Sequence, residues 1–361
     1  MTDDVPAQQP GPPSRPGQPT PPSQPGPPSQ FSQPSPPGQP APPSQPGTVP
    51  AGALGYHQLH RAGASSWWRS VLGVLLLVVI ALLVVPGTLQ VITLVWLAAN
   101  GSSDMTADYT RLLDLGDVTP YGLAYLNLTL AGLIPTVLLV TWWLHRLRPG
   151  WVTSVVGRMR WKFFVACLGL SVLALVATLL VGSVVPSSAS GGDISATPNP
   201  FDSKAMQFLL VVILLTPLQA AGEEFAFRGY LTQMFGGHFP TYVAIIGPAV
   251  LFALAHGVQD PPIFVDRLAF GLVAGILVVR TGGLEASIAM HVLNNWLAFG
   301  LAIVFGDMSD TLSPSGGTWW SLPVTLTQSL VYLALALWAA KQMGLSRSTQ
   351  RSVLAASRGR V

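Results

Sequence analysis

From Trp67 onward the sequence is a succession of apolar runs, most of them about as long as a bilayer is thick. A helix needs roughly 20 apolar residues to cross the hydrocarbon, where only intrahelical hydrogen bonds can satisfy the backbone. Such runs lie near 71–98, 120–144, 162–185, 205–227, 240–256, 263–280, 284–305 and 320–340, which makes about eight transmembrane helices. The expected fold class is therefore all-α, a polytopic membrane helix bundle. The first run is long and contains Pro86, so a kink or tilt is expected there. The fifth and sixth are short, and Asp260-Pro261-Pro262 leaves only a tight turn between them. Trp67, Trp68, Trp142, Trp143, Trp151, Trp161, Trp319 and Trp320 flank the runs, as interfacial anchors do. Composition agrees: 9% of the residues are charged, against about 25% in soluble domains.

Residues 1–60 are of another kind. They hold nineteen of the 33 prolines, mixed with Ser, Gln and Gly, and repeat Pro-Pro-Ser-Gln-Pro-Gly at 21–26 and 42–47. Such a segment has too little apolar surface to offset its ordering entropy, so a disordered tail with polyproline-II character is expected. It reads either as a solvated tether or as a docking strip for a partner that binds Pro-rich segments. The chain opens Met1-Thr2-Asp3-Asp4 without a basic leader, so the first helix is expected to direct insertion. With the N-terminus inside, fifteen of the 18 Lys and Arg residues fall on the cytoplasmic side, and the outer loops keep Arg111, Lys204 and Arg267. That asymmetry predicts a multi-pass plasma-membrane protein with both termini cytoplasmic, in contact with membrane lipids. The basic residues form no run with interleaved aromatics, so no nucleic acid partner is expected. The single cysteine, Cys167, excludes an intrachain disulfide.

The chain contains three glutamates, and two of them, Glu223 and Glu224, end a strongly apolar run. A carboxylate at membrane depth costs several kcal/mol, so it is paired, protonated or beside water. Glu224 and Arg228 are four apart and can pair on one helix face. Glu223 is turned about 100° away and is left free for chemistry. The alternative is a purely structural ion cluster of both glutamates with Arg228. Phe252 and His256 share one helix face, and so do His291 and Asn295. Either histidine alone could be a packing residue, and Asn294 could be helix-helix glue.

Together these residues suggest more. A carboxylate with an imidazole can hold and deprotonate a water. An imidazole with an amide can donate to a developing oxyanion. Glu223, His256 and His291 could instead ligate a divalent metal such as zinc. The zinc helix pattern H-E-x-x-H is absent, as are G-x-S-x-G and a paired-aspartate pattern.

At these positions the sequence resembles the CAAX prenyl protease 2 family, also called the CPBP or abortive-infection, lysostaphin-resistance-like family of intramembrane peptidases. Glu223-Glu224 with Arg228 is similar to its first motif, Phe252 to His256 to its second, and His291 to Asn295 to its third. The resemblance covers roughly 205–305. It implies that Glu223 and His256 activate water and that His291 and Asn295 form the oxyanion site. Glu224, Arg228 and Phe252 would support them, and a metal is often invoked for the family. The expected organisation is a tail over 1–60, N-terminal membrane helices over 68–200, a protease-like membrane domain over 204–306 where the resemblance lies, a last helix over 319–341 and a basic tail over 342–361. The implied substrate is a membrane-associated peptide or protein cut near its C-terminus. A non-enzymatic scaffold or bacteriocin-immunity-type factor is the alternative, with an ion-coupled transporter behind it. By residue count, His256 should lie near the outer end of its helix and His291 near the inner end of its own, an apparent conflict.

Overall fold

The computed structural model describes residues 52–184, 197–257, 259–314 and 316–350. Its apolar runs are helices: α1 (Trp67–Ala99), α2 (Pro120–Trp143), α3 (Trp161–Gly182), α4 (Ser203–His238), α5 (Thr241–Ala255), α6 (Pro261–Thr281), α7 (Glu285–Phe305) and α8 (Ser321–Gln342). Seven of these are long and apolar enough to cross a membrane. The protein is thus a multi-pass membrane protein. The expected fifth span is the exception: α5 has 15 residues, about 22 Å at 1.5 Å per residue, short of a hydrocarbon core about 30 Å thick.

Large apolar side chains cover the outside of the spans. Leu82, Leu83, Val91, Val165 and Leu180 are all more than 60% exposed, as lipid-facing residues must be where no water competes. The interior is built from smaller contacts. Gly271 packs on Ala249 and Gly275 on Ile245, which brings α5 and α6 together and fixes their antiparallel register. At Pro86, where a kink or tilt is expected, the helix changes its winding. A π-helical turn, Ile80–Val84, precedes the proline and absorbs the lost backbone bond.

The end of the tail departs from the expected disorder. Residues 1–51 lie outside the described residues, but Ala53–Gly55 form a strand, β1, and Tyr56–Ala62 a 3-10 helix. The prolines stop at Pro50, and the segment after them carries apolar side chains that it can bury. Tyr56 and Leu59 are fully buried. The Tyr56 hydroxyl donates to the Val152 carbonyl at 2.5 Å, and Arg61 Nε donates to the Gly236 carbonyl at 2.9 Å. β1 pairs antiparallel with β2 (Ser348–Gln350) in the register Ala53↔Gln350. The two ends of the membrane region are therefore hydrogen-bonded to each other. The segment 53–62 is called the strap below.

The third glutamate is structural. Glu285, fully buried at the start of α7, takes the Arg160 guanidinium at 2.8 and 2.6 Å and the Arg160 amide at 2.9 Å. Arg160 also donates to the Thr281 and Ser346 carbonyls. One ion pair thus ties the starts of α3 and α7 to the C-terminal segment. Removing one partner strands a buried charge, so Glu285→Ala should destabilise the fold by about 3–5 kcal/mol. A thermal melt in detergent reads this, and an unchanged midpoint would refute it.

Candidate active site

The site begins where α4 changes geometry. Its α-helical part ends with Thr216–Glu224, and Phe225–Leu231 is wound as a π-helix. Such turns re-aim side chains and occur disproportionately at functional positions. Glu223 and Glu224 lie on the last α-helical turn. Next to them, Gly222 meets the Leu130 backbone of α2 so closely that a Cβ would collide with its carbonyl oxygen. That contact holds the two glutamates against the bundle interior.

Their environments differ. Glu224 is fully buried, and its Oε1 accepts from Arg228 Nη1 at 3.0 Å and from His291 Nδ1 at 2.9 Å. The predicted pairing with Arg228 is present. Arg228, 1% exposed, also lies over the Phe252 ring, with its guanidinium carbon 4.1 Å from the ring centroid. Glu223 is held through Oε2, 3.2 Å from His291 Nε2, and its side chain keeps 11% exposure. No other bond holds Glu223 among the described residues, so its second oxygen is free for a water.

His291 differs from the expected arrangement. Both of its ring nitrogens face carboxylates, so the ring does not stand beside Asn295 as a second free donor. Nδ1 is hydrogen-bonded to Glu224, and Nε2 stands at ion-pair distance from Glu223 Oε2. Glu223, His291 and Glu224 thus form one contiguous polar cluster. Phe270 and Phe252 close around the ring, with centroids 5.2 and 5.9 Å away.

His256 caps the C-terminal end of α5 and is exposed. Its Nδ1 lies 2.8 Å from the Phe252 carbonyl. A carbonyl can only accept, so Nδ1 carries the proton and, in the neutral ring, Nε2 presents its lone pair. The Phe252 and His256 rings meet edge to face at 4.7 Å, as their four-residue spacing predicts. The two histidines expected at opposite depths share a neighbour: the Phe252 ring lies 4.7 Å from His256 and 5.9 Å from His291.

Asn295 lies one turn beyond His291 on α7. Its Nδ2 donates to Gln219 Oε1 at 2.9 Å, which leaves one amide hydrogen for a ligand. Gln219 was missed in the sequence. Its signal was present: a polar residue in an apolar run, four before Glu223 and on the same face. Arg267 was also misplaced. It lies within α6 rather than in an outer loop, close enough to Glu223 and His256 to act on both electrostatically.

A divalent metal needs three or more converging donors. Among the described residues, no three His, Cys, Asp or Glu side chains gather in that way. In Glu223, His256 and His291, both nitrogens of the last are already engaged by carboxylates. The donor set as it stands does not fit a resident metal, and no step below runs through one.

Comparison with known proteins bears on this segment. Residues 205–297 match the family described as type II CAAX prenyl endopeptidase Rce1-like. The match contains Gln219, both glutamates, Arg228, Phe252, His256, Arg267, His291 and Asn295. The chain is also similar to the uncharacterized protein YyaK of Bacillus subtilis (strain 168), 27% identical over 193 residues. That alignment covers 50% of this chain and 61% of YyaK, so the chain spans about three-fifths of the length of this relative. The family match points to a hydrolase, a protease of CAAX type set in a membrane.

Proposed function

Taking as premise that residues 205–297 carry the pattern of the Rce1-like type II CAAX prenyl endopeptidases, we propose that this protein hydrolyses peptide bonds of membrane-associated substrates near their C-terminus. The observation that carries this reading is the pair of open acceptors, the second oxygen of Glu223 and Nε2 of His256, on two side chains near enough to act on each other electrostatically. A water between them can lose a proton to one as its oxygen adds to the scissile carbonyl carbon. Asn295 offers its remaining amide hydrogen to the oxyanion that forms. The C–N bond then breaks, and the captured proton passes to the leaving amine. His291 acts through Glu223, which it orients, and Glu224 with Arg228 fixes His291 in turn. Burial of Glu224, Arg228 and His291 strengthens the charge interactions among them.

In this reading the protein lies in the plasma membrane with both termini cytoplasmic. The basic residues of the second loop and the C-terminal segment support that placement, as does the pairing of β1 with β2, which keeps the two ends together.

The test is cleavage of quenched peptides, with and without a prenyl group, by purified protein in detergent. His256→Ala should lower kcat by about 10²–10⁴-fold, the range for losing a general base. Cleavage by the wild type should persist when a chelator is added. Equal rates from wild type and variant would mean that the activity belongs to a contaminant. A folded wild type inert on every peptide would favour a scaffold or immunity factor.

A further inference from the structure

Arg267 has no function in the hydrolysis derived above, yet its position calls for one. It lies within α6, two turns inside an apolar span, where an ionised side chain is costly and is normally paired or functional. Among the described residues, Arg267 makes no hydrogen bond, and only charge interactions reach it. The charges that act on it are its neighbour Asp266, which is also drawn by Ser321 and Thr325 of α8 and stands in no salt bridge with it, and Glu223. The contacts of Gly271 with Ala249 and of Gly275 with Ile245 set the register of α6 on α5. That register puts Arg267 level with Ala253, one turn before His256. The guanidinium is half-buried and lies within electrostatic range of both Glu223 and His256.

The geometry points to Arg267 as a binding site for the free α-carboxylate at the C-terminus of the peptide substrate. This inference rests on the peptidase reading and says which end of a peptide enters first. A guanidinium presents a fork of N–H donors that matches a carboxylate in two parallel hydrogen bonds. At a half-buried position in an apolar helix, water competes less well for such a pair than at the surface. An anionic chain end bound there would hang the last peptide bonds over Glu223 and His256, since an extended chain covers about 3.3–3.6 Å per residue. Carboxylate binding would also supply the hydrogen bonds that the guanidinium otherwise lacks. Recognition would then come from the chain end, with the neighbouring side chains left to apolar contact.

The experiment uses one fluorescent decapeptide with apolar C-terminal residues, made as the free acid and as the C-terminal amide. Binding is measured first, on Glu223→Gln protein in nanodiscs, so that turnover plays no part. The acid should bind about 10- to 100-fold more tightly than the amide, the range for a hydrogen-bonded charged pair. Adding Arg267→Ala should bring the acid down to the affinity of the amide and leave the amide unchanged, and Arg267→Lys should restore part of the difference. With Glu223 intact, Arg267→Ala should raise KM for the acid far more than it lowers kcat. Equal binding of acid and amide, or no binding of the acid, overturns the inference. So does an Arg267→Ala variant that weakens both peptides alike or acts on kcat alone, because the arginine would then serve Glu223 and not the substrate. Acid-selective binding without cleavage by wild-type protein would uphold the carboxylate site and count against the peptidase reading.

Discussion

Glu223→Gln should abolish hydrolysis and leave the fold intact, whereas Glu224→Gln, one residue along, should unfold the protein before its activity can be read. The two side chains share a helix turn and differ in what holds them. Glu223 is bound through one oxygen to His291 and keeps some exposure. A glutamine there preserves size and can still meet the ring, but it cannot take a proton from water. The expected loss in kcat is about 10²–10⁴-fold, with a thermal midpoint close to wild type. Glu224 has no exposure and holds Arg228 and His291 at once. Neutralising it strands the Arg228 guanidinium in the core, a defect of about 3–5 kcal/mol. Parallel melts and cleavage assays in one detergent separate the outcomes. The assignment fails if Glu223→Gln retains activity, or if both variants lose stability equally.

Much of this was legible in the sequence, because the membrane enforces one rule along the whole chain. Any stretch in hydrocarbon must be apolar and helical, so the run expected at 162–185 became α3, Trp161–Gly182, and that at 284–305 became α7, Glu285–Phe305. The same rule made Glu223, Glu224, His256 and His291 conspicuous, and three of these meet directly. What stayed hidden depended on contacts between distant segments. Nothing local marks the π-helical turn after Glu224, which bends the chain where Gly229 meets Val152 and Leu284. The position of His291 between two carboxylates followed from how deep α7 sits, and sequence spacing does not encode that. Arg267 was counted with the outer loops by charge sidedness, although the run expected at 263–280 already contained it, as α6 does. The strap was absorbed into a tail whose composition is set by its prolines, although its own residues carry none.

The histidines of the strap lead to the second large effect. His57 and His60 on the strap, His145 after α2 and His238 at the end of α4 gather away from the catalytic residues. The His60 and His145 rings stack with centroids 4.2 Å apart, and His145 Nε2 lies 2.9 Å from the Tyr230 hydroxyl. Both ring nitrogens of His60 are buried without a hydrogen bond among the described residues. The charged groups acting on these rings are Arg61 on His57 and Arg69 on His145, and His60 faces His145 and His238. No carboxylate is among them, and the one contact that favours an imidazolium, the Ala64 backbone on His145, is outweighed by burial. Burial lowers His57 and His145 from 6.5 to about 4, and burial with the neighbouring histidines holds His60 well below its ordinary value. Folding thus lowers the proton affinity of each ring, and below pH 6.5 the released strap binds more protons than the docked one. The docked strap is fully stabilised above that pH. It loses about 1.4 kcal/mol per pH unit for each such ring as the pH falls toward 4. Hydrogen exchange of residues 53–62 should therefore accelerate steeply between pH 7 and 5, after correction for intrinsic rates. His60→Phe, which keeps a ring against His145 but cannot be protonated, should flatten that slope. Protection that stays constant across the same range in wild-type protein would show that the strap is held by Tyr56, Leu59 and Arg61 alone, with the histidines as passive packing.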